Sequence, residues 1–321
     1  MPSYYVEHGG AVLVSTINRY TLVTLRPRED DEVHIHSIDF DLMVKYHLDE
    51  EPIYDGVLDL AKVAVRRLNS HSKRMGLDMN LQSDAPAGSG LGGSASLTVA
   101  VLGALGHALG IQMDNYQLAE LAYTVERVDL RISGGKQDQY ASVFGGFNLI
   151  EFGRDAVVVQ PLRISTHVLN DLESHLLLCY TGRTRLSAGL IDRQEQLYRE
   201  GRAETVSGLR TLRQLAYDIK DFLLQGRLDQ FAEALDAAWT SKLMVNPEIT
   251  DSRIDEMYHV ARQSGALGGK LLGAGGGGYL LLFCQVDRKR AVREQLERLG
   301  GQFADFSFTH EGLQTWESEC L

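Results

Sequence analysis

The alternation of hydrophobic and polar residues along the chain predicts both strands and helices. Runs of β-branched and aromatic residues that end in turn signals predict strands, because such side chains pack well on a pleated, half-buried surface. The predicted strands cover residues 11–17, 20–25, 33–36, 77–82, 176–180, 279–283 and 304–309. Apolar residues that recur every three to four positions predict helices over residues 55–69, 97–110, 116–128 and 287–299, with three or four more between 189 and 264. The pattern therefore indicates an α+β fold.

One glycine-rich stretch follows a predicted strand and runs directly into a predicted helix. It reads Asp84-Ala85-Pro86-Ala87-Gly88-Ser89-Gly90-Leu91-Gly92-Gly93-Ser94-Ala95-Ser96. Glycine reaches positive φ without steric cost, so the backbone here can wrap around a bulky anion. Unpaired backbone N–H groups and the helix dipole favour a phosphate at such a helix start. We expect Ser94 and Ser96 to cap the helix and the stretch to hold nucleotide phosphates.

Three other interpretations of this stretch compete with phosphate binding. The spacing Gly88-x-Gly90-x-x-Gly93 fits the dinucleotide-binding fingerprint, which requires a buried strand before the loop and another strand after its helix. Residues 77–82 alternate instead, and the segment after the helix predicts a second helix. A Walker A loop is excluded, because neither Gly135-Lys136 nor Gly269-Lys270 is followed by Ser or Thr. The third is a flexible glycine loop ahead of a core helix.

Composition narrows the class of protein. With 321 residues, 44% of them hydrophobic and 23% charged, the chain is typical of soluble globules and long enough for two domains or one bilobal unit. The net charge of −11 disfavours a broad nucleic-acid or anionic-membrane surface. Three widely spaced cysteines form no disulfide or zinc pattern, and the sequence shows neither a leader nor a membrane span. We expect a cytoplasmic protein with no nucleic-acid or membrane partner.

Several polar residues beyond the glycine-rich stretch are candidates for chemistry. Glu126 lies beside the apolar stripe of a predicted helix, where a carboxylate is more often solvated or paired with arginine than bound to a metal. Asp138 lies in a predicted loop over residues 131–146, where a turn or cap acid is as expected as a catalytic one. Two guanidiniums lie at a predicted strand end, in the segment Thr181-Gly182-Arg183-Thr184-Arg185. They could bind a sugar phosphate, or they could simply be the exposed, hydrated side chains of a loop. Lys242 is a further candidate anion ligand.

Several separated motifs resemble the GHMP kinases, the family of galactokinase, homoserine kinase and mevalonate kinase. Pro86-x-Gly88-x-Gly90-Leu91-Gly92-Gly93-Ser94-Ala95 resembles the phosphate-binding motif of that family, and Gly273-Ala274-Gly275-Gly276-Gly277-Gly278 resembles its third motif. Four further motifs are most similar to the D-glycero-D-manno-heptose 7-phosphate kinases: Pro2-Ser3-Tyr4-Tyr5, Gly9-Gly10-Ala11-Val12, Gly135-Lys136-Gln137-Asp138-Gln139-Tyr140 and Gly268-Gly269-Lys270-Leu271-Leu272-Gly273. The similarity covers nearly the whole chain.

The resemblance implies a two-lobed fold, with a mixed-sheet nucleotide-binding lobe over residues 1–158 and a ferredoxin-like α/β lobe with added helices over residues 159–321. It also implies transfer of phosphate from ATP, with Mg²⁺, to the anomeric hydroxyl of D-glycero-D-manno-heptose 7-phosphate. The 1,7-bisphosphate product would feed GDP-heptose synthesis for capsule or surface polysaccharide. The alternatives are a family member acting on a fucose- or galactose-like sugar, and a sensor that binds sugar and nucleotide without catalysis. A homodimer also stays open.

Residue roles follow from the same resemblance. The residues expected to hold ATP are Pro86, Gly88, Ser89, Gly90, Leu91, Gly92, Gly93, Ser94 and Ala95. Ser94 and Glu126 occupy the positions expected to bind Mg²⁺, and Asp138 occupies the position of the catalytic aspartate. The residues expected to bind the sugar phosphate are Arg183, Arg185, Lys242, Gly275 and Gly276.

The first residues also bear on the resemblance. Related heptose kinases carry a strand and a Gly-Gly-Thr-Asp turn just before the residues that match Pro2-Ser3-Tyr4-Tyr5, and this sequence begins inside that turn. A missing edge strand would expose unpaired backbone and apolar surface on its neighbour. We therefore expect reduced stability or activity, and we assign no sugar-binding acid in that turn.

Overall fold

The computed structural model describes residues 1–69, 74–184 and 188–318, so the predicted substrate residue Arg185 lies outside the described residues. Within these ranges the α-helices are α1 (Pro2–His8), α2 (Asp59–Leu68), α3 (Gly93–Leu109), α4 (Asn115–Tyr123), α5 (Gln137–Phe144), α6 (Thr166–His175), α7 (Ala188–Arg199), α8 (Ala203–Gln225), α9 (Leu228–Val245), α10 (Ser252–Ser264) and α11 (Lys289–Arg298). The strands are β1 (Gly10–Ile17), β2 (Thr21–Pro27), β3 (Glu32–Ser37), β4 (Leu42–His47), β5 (Leu77–Ser83), β6 (Phe147–Phe152), β7 (Val157–Pro161), β8 (Leu176–Tyr180), β9 (Ala266–Leu271), β10 (Tyr279–Cys284), β11 (Gln302–Ala304) and β12 (Phe308–Thr309).

A four-stranded mixed sheet carries the glycine-rich stretch at the end of one of its strands. The strand order is β2-β5-β3-β4, in which β3 and β5 run parallel and the other neighbours antiparallel. Leu77, Met79 and Leu81 of β5 are buried against the core, while the residues between them are more exposed. That alternation confirms the half-exposed strand predicted for residues 77–82. Helix α3 packs against β2 and α2, which places the glycine-rich stretch between sheet and helix.

A second sheet, of antiparallel strands in the order β11-β8-β10-β9, forms the C-terminal part of the fold. Helices α7 to α10 connect β8 to β9, and α11 connects β10 to β11. Numbered within this sheet, the strand order is 4-1-3-2 with helical crossovers, which is the ferredoxin-like arrangement. The predicted ferredoxin-like lobe with added helices is therefore confirmed. Among the described residues, none of the helices is long and apolar enough to cross a bilayer.

The third sheet has the order β12-β1-β6-β7 and takes strands from both ends of the chain. The single strand predicted near residues 304–309 is wrong, because β11 pairs with β8 whereas β12 pairs with β1. The break has local causes: Asn18 and Ser307 bond to each other through N–H groups at 2.8 and 2.9 Å, and Phe308 N donates to Glu173 Oε1 at 2.6 Å. The division of the chain after residue 158 stays a prediction, although β7 spans that point.

Several predicted helix boundaries differ from the structure. The helix predicted over residues 97–110 already begins at Gly93, and the one predicted over residues 55–69 begins at Asp59. The helix predicted over residues 116–128 is regular only as far as Tyr123 and continues as a π-helix. The predicted loop over residues 131–146 contains α5, because its buried residues Tyr140 and Val143 recur at helical spacing within a polar, glycine-rich stretch.

The C-terminal tail returns to the helices beside the glycine-rich stretch. Leu313 lies so close to Gly103 of α3 that a Cβ on this glycine would be 2.5 Å from the leucine Cδ2. The Leu313 N–H donates to the Val143 carbonyl of α5 at 3.3 Å, and His107 Nδ1 lies 3.1 Å from Thr315 Oγ1. The tail therefore ties α3 to α5.

Replacing Leu313 with alanine tests this tie. Because the leucine is partly buried in the main core, we expect Leu313→Ala to lower the free energy of unfolding by about 1–3 kcal/mol, measured by denaturant titration. Leu224→Ala removes the same atoms from an exposed position of α8 and should change it by less than about 0.5 kcal/mol. Equal effects of the two substitutions would contradict a stabilising tail.

Candidate active site

The glycine-rich stretch forms a bend whose conformation depends on glycine. Gly88, Gly90 and Gly92 have φ values of 71°, 81° and 76°, in the left-handed region that side chains disfavour. Gly92 is the N-cap of α3, and no side chain of the described residues caps the helix there. The predicted capping by Ser94 and Ser96 is wrong: their hydroxyls donate to Glu126 Oε2 and Thr21 Oγ1, both at 3.1 Å. The backbone N–H groups at this helix start are thus left to other ligands.

The second glycine-rich loop, residues 273–278, packs directly on the first through backbone atoms. Tyr279 N donates to the Ser89 carbonyl at 3.1 Å. A Cβ added at Gly278 would be 2.2 Å from the Ser89 carbonyl oxygen, and one added at Gly273 would be 2.6 Å from Gly90 Cα. No side chain fits at these contacts, so glycine is required in both loops. Close backbone approach by the second loop therefore supports the bend of the first.

Glu126 reaches the start of α3 because the helix that carries it widens. Residues Thr124–Asp129 form a π-helix, a rare winding that recurs at functional sites. The Glu126 side chain is fully buried, with Oε2 accepting from Ser94 Oγ at 3.1 Å and Oε1 accepting from Gln139 Nε2 at 2.8 Å. Burial raises the pKa of Glu126 above its ordinary value, opposed mainly by the charge of Arg127. The two predicted metal-binding residues therefore lie in contact.

Asp138 lies on the other side of the same helix start. It is the second residue of α5, and a Cβ added at Gly92 would be 3.5 Å from Asp138 Cβ and 3.8 Å from its Oδ1. Burial raises the pKa of the half-buried Asp138 carboxyl, and the charge of Arg127 opposes that rise. The neighbouring Gln139 bonds to Glu126, so α5 is held in register with the π-helix. The structure thus brings both predicted acids to the end of the glycine-rich bend.

Two residues that the sequence analysis did not select complete this arrangement. Gln139 is fully buried, and its Oε1 has no hydrogen-bond partner among the described residues. Arg127 bonds to three carbonyls of the segment before α5, at residues 132, 133 and 135. Both are direct sequence neighbours of the predicted acids, and Gln139 also belongs to the motif over residues 135–140 that resembles the heptose kinases.

The donor set at the start of α3 suits a magnesium ion. Mg²⁺ prefers oxygen ligands and is often held by one or two carboxylates together with substrate phosphates. A buried carboxylate of Glu126, the Ser94 hydroxyl and the unpartnered Gln139 Oε1 are oxygen atoms of that kind. Across the described residues, no cluster of three or more His, Cys, Asp and Glu forms a metal site of its own. The protein therefore offers a partial coordination sphere that a phosphate could complete.

The described residues predicted to bind a sugar phosphate lie around the second glycine-rich loop. The Arg183 carbonyl accepts from Gly278 N at 2.8 Å, while its guanidinium is largely exposed, 3.5 Å from Asp251 Oδ2. Lys242 Nζ donates to the carbonyls of Leu271 and Gly273 at 3.0 and 2.6 Å. Burial, and then the nearby Lys270, lowers the pKa of Lys242 well below its ordinary value. In this geometry the Lys242 ammonium holds the loop backbone, and its contact with a substrate stays a prediction.

Comparison with known proteins gives the family. The profile described as GHMP kinases N terminal domain matches residues 59–146, and the one described as GHMP kinases C terminal matches residues 219–302. Over 316 residues the chain is 34% identical to the D-glycero-alpha-D-manno-heptose 7-phosphate kinase of Campylobacter jejuni, covering 98% of this chain and 93% of that protein. The chain belongs to the GHMP kinase family. It is an ATP-dependent kinase, as the sequence motifs predicted.

Solved structures agree with this assignment. A protein of Bacteriodes thetaiotaomicron described as a D-glycero-D-manno-heptose 1-phosphate kinase superposes with a TM-score of 0.81 at 30% identity, covering 99% of this chain and 93% of its own. A putative sugar kinase from Campylobacter jejuni superposes with a TM-score of 0.77 at 33% identity, covering 95% and 89%. The galactokinase of Lactococcus lactis shares the fold, with a TM-score of 0.79 at 20% identity and coverages of 97% and 91%.

Substituting a glycine at the contact between the two loops tests whether that contact supports nucleotide binding. Gly278→Ala adds strain at a φ of +95° and a collision with the Ser89 carbonyl. We therefore expect it to lower the free energy of unfolding by at least about 1–3 kcal/mol and to raise the KM for ATP at least about tenfold. Gly201→Ala adds strain at a φ of +68° with no atom within 4 Å, and should leave KM unchanged. Denaturant titration and steady-state kinetics measure both. An unchanged KM in Gly278→Ala would contradict the support.

Proposed function

We propose that this GHMP kinase uses ATP and Mg²⁺ to phosphorylate the anomeric hydroxyl of D-glycero-D-manno-heptose 7-phosphate, which yields the 1,7-bisphosphate. The observation that carries the proposal is the meeting of Ser94, Glu126 and Asp138 at the start of α3. The names of the Campylobacter and Bacteriodes relatives support a heptose phosphate as substrate, although they differ in the position of its phosphate. The product would feed the synthesis of nucleotide-activated heptose for a surface polysaccharide. We propose that the kinase acts in the cytoplasm.

The backbone supplies most of the nucleotide site in this proposal. N–H groups of residues 88–94 donate to the phosphates of ATP, and the dipole of α3 adds positive potential at the same point. Ser94 and Glu126 would hold the magnesium ion, which supplies neutralisation of the charge that develops on the transferring phosphoryl group. Pro86 and Ala95 flank these donors, and the Leu91 side chain lies among them; all three would shape the bend. Backbone donors matter here because the chain carries a net charge of −11.

Asp138 would accept the proton of the attacking sugar hydroxyl, or at least orient that hydroxyl. Phosphoryl transfer mainly requires positioning and charge neutralisation, so one base beside the phosphates is sufficient chemistry for the protein. Burial raises the pKa of this carboxyl, which makes its ionised form a stronger base. The hydrogen bond between Gln139 and Glu126 keeps the base at a constant distance from the metal ligand.

The distal phosphate of the sugar would lie beside the second glycine-rich loop. Arg183 supports this location, because its backbone is bonded to the loop while its guanidinium is 63% exposed. Gly275 and Gly276 would offer close backbone approach to the sugar, and Arg185 and Lys242 remain proposed anion ligands. An arginine guanidinium can donate two parallel hydrogen bonds to the oxygens of one phosphate group. Such a site would bind a sugar phosphate in preference to a neutral hexose.

Replacing Asp138 with asparagine should separate catalysis from stability. We expect kcat to fall at least about 10²-fold while nucleotide affinity changes little, since the amide cannot accept the proton.

A carboxyl whose pKa is raised in the folded state is destabilising above its unfolded pKa, so Asp138→Asn should also raise the free energy of unfolding at neutral pH. In the wild type, the acid limb of kcat/KM, which reports the free enzyme, should lie above the ordinary pKa of aspartate. The exposed Asp155→Asn is the matched control, and near-normal turnover of Asp138→Asn would remove the base from the proposal.

The substrate is tested by ADP release with a panel of sugars. We expect turnover with heptose 7-phosphate, and kcat/KM values lower by about 10²-fold or more for fucose, galactose, mannose and heptose 1-phosphate. Arg183→Gln should raise KM for the 7-phosphate about tenfold without affecting a neutral sugar, whereas the exposed Arg290→Gln should change neither. Preference for the 1-phosphate or for a neutral hexose would replace the substrate in this proposal.

A further inference from the structure

Arg127 lies close to both acids of the site, Glu126 and Asp138, although the sequence analysis did not select it as a site residue. Its guanidinium is 13% exposed, and Nη2 lies 3.5 Å from Glu126 Oε2. Glu126 Oε2 is also the oxygen that accepts from Ser94, so a single carboxylate oxygen joins the arginine to the start of α3. Glu126 and Arg127 are consecutive residues of the π-helix, and both side chains are largely withdrawn from solvent.

The same guanidinium organises the segment that leads into α5. Nη1 donates to the carbonyls of Ile132 and Ser133 at 3.3 Å, and Nε donates to the carbonyl of Gly135 at 3.4 Å. These acceptors lie three to six residues before Asp138 in the chain. Arginine can make this set of bonds because its donors form a planar fork, which the single ammonium of lysine does not reproduce.

Gly134 makes room for the guanidinium. A Cβ added at this position would be 2.5 Å from Arg127 Cζ, 2.7 Å from Nη2 and 2.9 Å from Nε. Such distances require the arginine to move. The next residue, Gly135, differs, because a Cβ added there would have no neighbour closer than 3.9 Å. Neither glycine has a positive φ, so alanine is conformationally acceptable at both positions. The two adjacent glycines therefore separate displacement of the arginine from any general effect of alanine in this segment.

Charge supports the same assignment. Arg127 is the leading cause that opposes the burial-driven rise in pKa at both Glu126 and Asp138. A largely buried positive charge close to both carboxylates favours their ionised forms.

We infer that Arg127 is a positioning residue for phosphoryl transfer: its guanidinium, seated beneath Gly134, holds the segment before α5 so that Asp138 stays beside the phosphate-binding bend. This inference rests on the proposed function, in which Asp138 serves the attacking hydroxyl. A misplacement of about 1 Å at a reacting group can lower a rate by about 10²-fold. Nucleotide binding depends on the backbone of residues 88–94 and should be nearly independent of the arginine.

The test compares Arg127→Ala, Arg127→Lys and Gly134→Ala with the control Gly135→Ala. We expect kcat to fall about 10²-fold in Arg127→Ala and about tenfold or more in Arg127→Lys and Gly134→Ala, while KM for ATP stays within about threefold of wild type. Gly135→Ala should stay within about twofold in both parameters. A general loss of folding would instead lower the concentration of active sites, which single-turnover phosphoryl transfer measures directly. If Arg127→Ala does not fold, Arg127→Lys and Gly134→Ala still decide the matter.

A double substitution identifies the mechanism. If Gly134→Ala acts only by displacing the guanidinium, it should lower kcat by less than about twofold further in the Arg127→Ala background. Multiplying losses, or a kcat of Gly134→Ala equal to that of Gly135→Ala, would overturn the inference. Wild-type protein that releases no ADP with any sugar of the panel would refute the proposed function, whereas active wild type with equally active Arg127 variants would refute only this inference.

Discussion

The site depends on one backbone contact between two loops that are far apart in the chain. The Ser89 carbonyl accepts from Tyr279 N at 3.1 Å, and the space between them leaves no room for a Cβ at Gly278. Because the contact is made by main-chain atoms, it does not depend on side-chain rotamers. It joins the bend before α3 to the ferredoxin-like sheet, so that the bend is set by both parts of the fold. Glycine is therefore needed in the second loop for packing, independently of any ligand.

The sequence predicted those parts of the fold in which local pattern and tertiary contacts agree. Residues 77–82 alternate because one face of β5 packs on the core, and the glycines at 88, 90 and 92 mark left-handed backbone. Local rules failed where a distant partner decided the outcome. Ser94 is the second residue of α3 rather than its cap, because the helix begins at Gly93, and its hydroxyl bonds to Glu126, 32 residues away. The π-helix around Glu126 and the strand β12 depend on such contacts, whereas the helix that carries Asp138 has a local signal, Tyr140 and Val143 at helical spacing, inside a polar, glycine-rich stretch.

Electrostatics explains why the site relies on so few side chains. The buried Glu126 and the half-buried Asp138 lie beside the glycine-rich bend that is proposed to bind the triphosphate, in a chain with a net charge of −11. Burial favours the neutral form of each acid, whereas metal binding and proton abstraction need the ionised form. Backbone N–H groups stabilise phosphate without adding a titrating group, and Arg127 supplies a permanent positive charge near both acids. In the proposed function, a magnesium ion bound together with the nucleotide would supply the remaining positive charge.

In the proposed function, the contacts of the second glycine-rich loop also determine which basic side chain is available to bind the sugar phosphate. This loop is bonded on several sides: Gly276 N donates to the Ile249 carbonyl at 2.7 Å, and Gly278 N donates to the Arg183 carbonyl at 2.8 Å. The Lys242 ammonium donates to two more carbonyls of the same segment. Moving this ammonium onto an anion would break both hydrogen bonds to the loop backbone, which costs free energy. Arg183 faces no such cost, because its backbone holds the loop while its exposed guanidinium is tied only to Asp251 at 3.5 Å among the described residues. In the proposed function, the backbone of this loop forms the wall of the sugar site while the exposed Arg183 guanidinium binds the phosphate, so a substrate phosphate need not disturb the loop that supports the glycine-rich bend.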